Sequence, residues 1–356
     1  AVCADERTPS GRNKLRLKGT SGVGPPWRLC GRRCCGSHSR SERWRHPFRQ
    51  IAWTRCPSLH GYSSGVSFIV ASNGYQRRRR GTVKALMIDL HSHILPGLDD
   101  GSPSLAESLE MARLAVADGT THMACTPHIM PGVYENRTAN IVRAIQGLER
   151  ALREAAIPLS LYVGADVHVA PDLQEQLSIG NVPTLNKSRY FLFEPPHHVL
   201  PPRLEELALR LIRAEFVPII THPERLTRIK SNYDVIERLN AAGCLIQLTA
   251  DSIIGAFGRT ALYYSEKLLD EGRVDIIASD AHSSTRRRPG LSRAVMAVAK
   301  RRGEDEAYNM ALLRPGEILA NRPLDPVGAG LQRKSASASA GRLGMLGRLF
   351  KGGSER

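Results

Sequence analysis

From Met87 onward, short runs of β-branched and aliphatic residues alternate with longer stretches whose apolar positions recur every three to four residues. The short runs are MIDL (87–90), THMACT (121–126), SLYVGA (160–165), RYFLFE (189–194), VPIIT (217–221), CLIQLT (244–249) and VDIIAS (274–279), and each is predicted as a strand. The stretches 104–118, 138–156, 203–215, 232–242, 260–272, 291–302 and 304–312 are predicted as helices, with Gly119, Gly243 and Gly272 as C-terminal caps. Seven such repeats predict an α/β fold of parallel strands and crossover helices, either a closed barrel or an open doubly wound sheet. No GxGxxG or P-loop lysine motif is present, which weakens a nucleotide-binding version of the open sheet.

Residues 1–86 show no such periodicity. They are rich in Arg, Gly and Ser and cannot bury enough apolar surface to offset the entropy of ordering, so a flexible basic extension is expected there. The abrupt change of composition at Met87 is the pattern an over-extended gene start leaves. Residues 327–356 are expected to form a second flexible basic tail. Its segment GRLGMLGRLFKGG (341–353) sets Leu343, Met345, Leu346, Leu349 and Phe350 among basic residues, a composition suited to weak membrane contact, but its glycines disfavour a helix.

The formal net charge of +16 belongs to these ends. Residues 1–86 hold 18 Lys+Arg against 3 Asp+Glu and residues 327–356 hold 6 against 1, while 87–326 hold 26 against 30. The core is therefore slightly acidic, and the overall charge does not point to a specific nucleic-acid ligand. The RRRR run at 77–80 reads as a solvated charge run. Only Cys125 and Cys244 of the seven cysteines lie in the core, so no disulfide framework forms and a reducing cytoplasm is expected. No apolar run is long enough for a transmembrane helix, and the first 30 residues lack the apolar core of a signal peptide. CCGSHSRS (34–41) matches the C-x5-R-[ST] signature of cysteine-dependent phosphatases. Its flanks read as neither strand nor helix, however, and a segment so rich in Cys and Arg produces that spacing by chance.

The informative residues stand just past the strands. MIDL is followed by His91 and His93, THMACT by His128, SLYVGA by Asp166, VPIIT by His222, and VDIIAS by Asp280 and His282, while RYFLFE ends on Glu194. In a βα barrel these ends converge on one face, where catalytic sites sit. Two imidazoles at HxH spacing leave a strand on one side. Asp99 and Asp100 are two candidates for one further carboxylate, and Gly101 supplies the tight turn that aims it. Imidazole and carboxylate without thiolate suit Zn, Mn or Fe.

Taken in order, MIDLHSHILPGLDDG, CTPH, GADVH, NKSRYFLFE, THPER and ASDAH resemble the motif series of the PHP (polymerase and histidinol phosphatase) superfamily. The resemblance is strongest to its bacterial capsule and exopolysaccharide tyrosine-phosphatase branch, the CpsB/YwqE type, and spans 87–325. It implies a distorted (β/α)7 TIM-like barrel, the PHP fold, with three divalent ions, most commonly Mn2+, with Fe and Zn as alternatives. By resemblance one ion is held by His91, His93, Asp166 and Asp280, the second by Asp166, Glu194 and His222, and the third by Asp100, His128 and His282. The implied reaction is metal-assisted hydrolysis of phosphotyrosine on a protein, with a bacterial tyrosine autokinase of polysaccharide assembly as the expected partner. Arg225 and Arg287 would bind phosphate, since guanidinium matches its oxygens bidentately; the register among Arg286, Arg287 and Arg288 stays open. His222, His282 or a metal-held water would protonate the leaving phenolate. The branch usually carries Glu where this chain has Asp166, which shortens the reach of a bridging carboxylate; His168 is placed either to assist or to face solvent. Competing readings are a PHP phosphoesterase acting on histidinol phosphate, nucleotides or nucleic acid, and a non-catalytic regulator that docks on the kinase.

Overall fold

The computed structural model describes residues 86–324. The expectations for residues 1–85 and for the 327–356 tail lie outside the described residues, including the Cys34 loop, the RRRR run and the amphipathic tail segment.

Among the described residues nine strands form two sheets, and every strand pair is parallel. The strands are β1 (Met87–Asp89), β2 (Thr120–Cys125), β3 (His128–Ile129), β4 (Ser160–Val163), β5 (Asp166–His168), β6 (Tyr190–Glu194), β7 (Val217–Thr221), β8 (Leu245–Thr249) and β9 (Ile276–Ala278). One sheet runs β1-β2-β4 and the other β3-β5-β6-β7-β8-β9. Single strands are predicted over 121–126 and 160–165. Each instead stops and resumes three residues later in the other sheet, as β3 after β2 and as β5 after β4. Pro127 has no N–H for the ladder. At Gly164 a Cβ would lie 2.8 Å from Leu185 Cδ2, so the chain bends where a neighbour comes too close for a side chain. Past β1 and β9 the chain ends are also tied together. Ser92 bridges Ala281 in parallel, Asp280 N–H donates to the His91 carbonyl (2.8 Å), and His93 N–H donates to the Ala281 carbonyl (2.8 Å).

Six helices fall where the periodicity predicts them: Leu105–Asp118, Thr138–Glu154, Leu204–Arg213, Ile229–Ala242, Gly258–Asp270 and Ser292–Arg302. The first opens with Ser104 accepting from Glu107 N–H and closes at Gly119, whose φ of 112° only glycine adopts without strain. The helix predicted over 304–312 is instead a broken run. A turn at Glu304–Tyr308 is followed by a widened turn at Asn309–Leu313, then by Arg314–Leu319, because Pro315 cannot donate to the preceding turn.

The core divides between the two faces of the strands. Ile88, Leu90, Ala124, Tyr162, Tyr190, Leu192, Ile219, Leu245 and Ile276 form one buried set, closed below by Ile318 and Leu319. Met123, Phe191, Phe193, Ile220, Ile246 and Ile277 belong to the other set, packed with the helices. Along β6 to β9 the two sets alternate with the strand period of two. The inward phase then turns polar: Glu194 follows Leu192, Gln247 follows Leu245, and Asp280 follows Ile276 and Ala278, all buried. Polar side chains are thus gathered at the C-terminal ends of the strands.

Candidate metal centre

His91 Nε2 and His93 Nε2 stand 3.1 Å apart, and Asp280 Oδ1 lies 3.4 Å from each. Asp166 Oδ2 lies 3.4 Å from both His91 Nε2 and His128 Nδ1. Glu194 faces four imidazoles: His128 Nδ1 (3.3 Å) and His168 Nε2 (2.5 Å) at Oε2, and His197 Nε2 (3.2 Å) and His222 Nε2 (3.5 Å) at Oε1. Asp100 Oδ1 lies 3.5 Å from both His128 Nε2 and His282 Nε2. Donors bound to one ion at about 2.1 Å stand roughly 3.0–3.4 Å from one another, so these spacings fit ligands converging on cations. Asp166 is the clearest case. It is fully buried, and neither of its carboxylate oxygens has a hydrogen-bond donor. Burying such a charge is prohibitive without a compensating cation, a role that protonated His91 and His128 fill in the metal-free protein and a metal ion fills when those rings ligate it.

All nine residues singled out from the sequence come together, but their grouping differs in two places. His128 spans two groups, facing Asp166 and Glu194 through Nδ1 and Asp100 through Nε2. His222 reaches Glu194 on one side and clusters with His91 and Asp280 on the other. His168 turns inward onto Glu194. His197 also meets Glu194, and its sequence signal is EPPHH, a histidine pair two prolines past a strand-end glutamate.

Asp99 and Asp100 have separate tasks. The Asp99 side chain is buried and accepts from His93 Nδ1 (2.7 Å), His128 N–H (2.9 Å) and Gly101 N–H (3.0 Å). It therefore fixes the ring of His93 with Nε2 bare toward the centre, while the half-exposed Asp100 turns its carboxylate to His128 and His282. Gln247 was also unforeseen. Its Oε1 lies 3.0 Å from His91 Nδ1 and orients that ring in the same way. His222 and Asp280 have left-handed backbones, with φ of 34° and 53°, a conformation uncommon for non-glycine residues though shared by six others in the described chain.

The electrostatics divide the histidines. Burial opposes charge on His91, but Asp166 and Asp280 outweigh it and raise the imidazole to about 9. His128 is likewise raised to about 9 against its burial, by Glu194, Asp166 and Asp100. Burial and the neighbouring His93 lower His282 to about 4, and burial with Arg225 holds His222 well below the usual range. These two are neutral at ordinary pH, the form that ligates a metal. The same field disfavours the proton-donor role expected of them. Asp280 is buried, yet His91, His93, Arg287 and His222 keep it well below the usual carboxylate range.

Asp280 joins the centre to two arginines. Its Oδ1 faces His91 and His93, and its Oδ2 pairs with both Arg225 Nη1 and Arg287 Nη2. Arg287 Nε is buried without an acceptor, a donor still to be used. Phe257 lies under Arg225, 4.5 Å from ring centre to Cζ, which fixes the plane of that guanidinium. Of the three arginines in the 286–288 run, Arg287 is the one that pairs with Asp280, while Arg286 and Arg288 are exposed. Neither described cysteine is poised as a nucleophile: burial pushes Cys244 up to about 12 and holds the Cys125 thiol above its ordinary range.

The CpsB/CapC family, described as capsular polysaccharide synthesis, matches residues 87–320. The tyrosine-protein phosphatase YwqE of Bacillus subtilis (strain 168) is 33% identical over 245 residues, covering 68% of this chain and 96% of the relative. The tyrosine-protein phosphatase CpsB of Streptococcus pneumoniae is 27% identical over 241 residues, covering 66% of this chain and 99% of the relative. A solved structure from work on those two proteins, described as unique metal-dependent tyrosine phosphatases, superposes with a TM-score of 0.66. It shares 31% identity over 68% of this chain and 98% of its own.

Proposed function

The chain belongs to the CpsB/CapC family of capsular polysaccharide synthesis, and from that premise we propose that residues 87–326 form a metal-dependent protein-tyrosine phosphatase centred on Asp166. The observation that carries this reading is the buried Asp166 carboxylate, without a hydrogen bond and flanked by imidazole nitrogens. Counting β2 with β3 and β4 with β5 as single staves gives the seven of a distorted (β/α)7 barrel. The donor set is suited to three divalent ions, Mn2+ in the first instance. His91, His93, Asp166 and Asp280 would hold one, Glu194 with the imidazoles crowding it and Asp166 nearby would hold the second, and Asp100 and His282 with His93 and His128 would hold the third.

When bound, such ions neutralise charge on phosphoryl oxygens and acidify water at neutral pH. The side chains do the rest. Arg225 and Arg287 are anchored on Asp280 and turn their remaining donors to the phosphoryl group. Asp99 and Gln247 hold the rings of His93 and His91 in the ligating orientation. A tyrosine leaving group has a pKa near 10, so its departure needs little assistance beyond this. The substrate is phosphotyrosine on a protein, and a tyrosine autokinase of polysaccharide assembly suits the family's place in capsule synthesis. Two buried free thiols suit a cytoplasmic setting.

Metal analysis of the purified chain, paired with turnover of a phosphotyrosine peptide, histidinol phosphate and an oligonucleotide, tests the reading. Bound divalent metal and chelator-sensitive hydrolysis of the peptide above the other two are expected. Turnover of histidinol phosphate with none of the peptide would assign the centre to different phosphoester chemistry.

A further inference from the structure

The arginines that the centre leaves out have a place of their own. Arg286 and Arg288 flank Arg287 in sequence but line a separate groove of about 690 Å3, joined by Arg293 from the first turn of the helix Ser292–Arg302. That volume is in the range of ligand clefts. None of these three guanidinium groups has a hydrogen-bond or ion-pair partner among the described residues. Two carboxylates also line the groove, but they do not balance the three cations. Asp118 is engaged at the start of the helix, accepting from Leu291 N–H (2.6 Å) and Ser292 N–H (2.9 Å) and from the Ser292 hydroxyl. Asp251 is half-buried and has Arg293 as its foremost cationic neighbour, which still leaves Arg286 and Arg288 without a carboxylate of their own in the lining. The rest of the lining includes apolar residues such as Leu114 and Ile254.

The groove also shares a wall with the centre. The loop that presents Arg287 to Asp280 presents Arg286 and Arg288 to the groove, and the turn after Asp251 carries Phe257, which lies under Arg225 and 6.0 Å from Arg287 Cζ. Neighbouring Cα atoms are about 3.8 Å apart and an extended peptide advances about 3.4 Å per residue. Because Arg286 and Arg288 adjoin Arg287, a peptide whose phosphotyrosine is held by Arg225 and Arg287 needs only a few further residues to reach them. We propose that this groove binds an acidic stretch of the substrate peptide beside the phosphotyrosine, so that the enzyme selects its substrate by carboxylates as well as by phosphate. The proposal rests on the phosphatase reading, and guanidinium forks matched to carboxylates supply the recognition.

The test uses the full chain loaded with Mn2+ and two phosphotyrosine peptides that differ only in having Glu or Gln at the flanking positions. Both kcat/KM and binding by fluorescence anisotropy are measured. Wild-type protein is expected to favour the Glu peptide roughly tenfold, as three partly screened charge pairs allow. The ratio should fall towards one in the Arg286→Ser/Arg288→Ser/Arg293→Ser variant, whatever its absolute rate. It should fall likewise in wild type at about 0.5 M salt, where exposed pairs are screened. Equal handling of the two peptides by wild type, or a preference that survives the triple substitution, overturns the groove assignment. Loss of the phosphatase reading looks different: wild type then fails to hydrolyse even a small aryl phosphate, while the anisotropy ratio still reports on the groove.

Discussion

Gly101 has no room for a side chain. A Cβ there would lie 2.3 Å from the His93 carbonyl oxygen and 2.4 Å from His93 Cβ, so the clash is with backbone and cannot be relieved by turning a rotamer. The same residue donates its N–H to Asp99, which orients His93. Gly101→Ala is therefore expected to push apart the loop that carries Asp99 and Asp100. Metal affinity should fall by about 10- to 100-fold, as when an orienting partner of a ligand is lost. Calorimetric titration with Mn2+ measures this directly, and an unchanged affinity would mean that the loop does not set the ring of His93. The sequence shows Asp99, Asp100 and the glycine behind them but not their division of labour, because that depends on which carboxylate the turn buries. Gln247 was harder to see. A neutral amide in an apolar strand carries no metal signature, and its role appears only once His91 lies beside it.

At the scale of elements, the apolar runs located the strands because each is buried on both faces. Two interruptions escaped the periodicity. One has a local cause in Pro127, which the sequence contains. The other, at Gly164, arises from the approach of Leu185, which no local pattern records. The lower closure of the strand interior was equally hidden. Ile318 and Leu319 pack beneath Ile88, Leu245 and Ile276, and the Tyr190 hydroxyl donates to the Arg322 carbonyl (2.7 Å). A six-residue helix with a proline in its first turn looks from sequence like the frayed end of its predecessor. Ile318→Ala should cost about 3 kcal/mol of stability, the usual price of an unfilled site in a core. The kcat of the surviving folded fraction should be retained, since the substitution lies at the end opposite the candidate centre. Denaturant unfolding and a kcat measurement on the same sample separate the two effects; a stability change below about 0.5 kcal/mol would show that the helix does not close the core.

At the scale of the whole molecule, protons and metal ions compete for one set of ligands. His91 and His128 are raised to about 9 by the surrounding carboxylates, above the ordinary imidazole value near 6.5. A raised group contributes stability that is fully present below the unfolded pKa and is lost as pH rises through the folded one. Metal-free protein should therefore lose stability between pH 6.5 and 9. Glu224, raised to about 7 chiefly by burial, adds to the early part of that loss. Metal binding needs the same imidazoles deprotonated, so the rise in Tm on adding Mn2+ should grow across that window. Thermal melts with and without Mn2+ at pH 6.5 and 9 test this. A rise in Tm that shrinks with pH would contradict the assignment of these histidines as ligands.

The most direct test of the account is Mn2+-restored hydrolysis of a phosphotyrosine peptide by metal-stripped wild type, Asp166→Asn and Asp166→Glu, with bound metal measured on the same samples. Asn keeps the shape of the buried side chain and removes the charge that the cations compensate, so Asp166→Asn should retain the fold but lose metal and nearly all activity. Asp166→Glu restores the residue usual in the resembling branch and should bind metal and turn over substrate. If Asp166→Asn binds metal and hydrolyses the peptide as wild type does, Asp166 is not a ligand and the centre proposed around it does not exist.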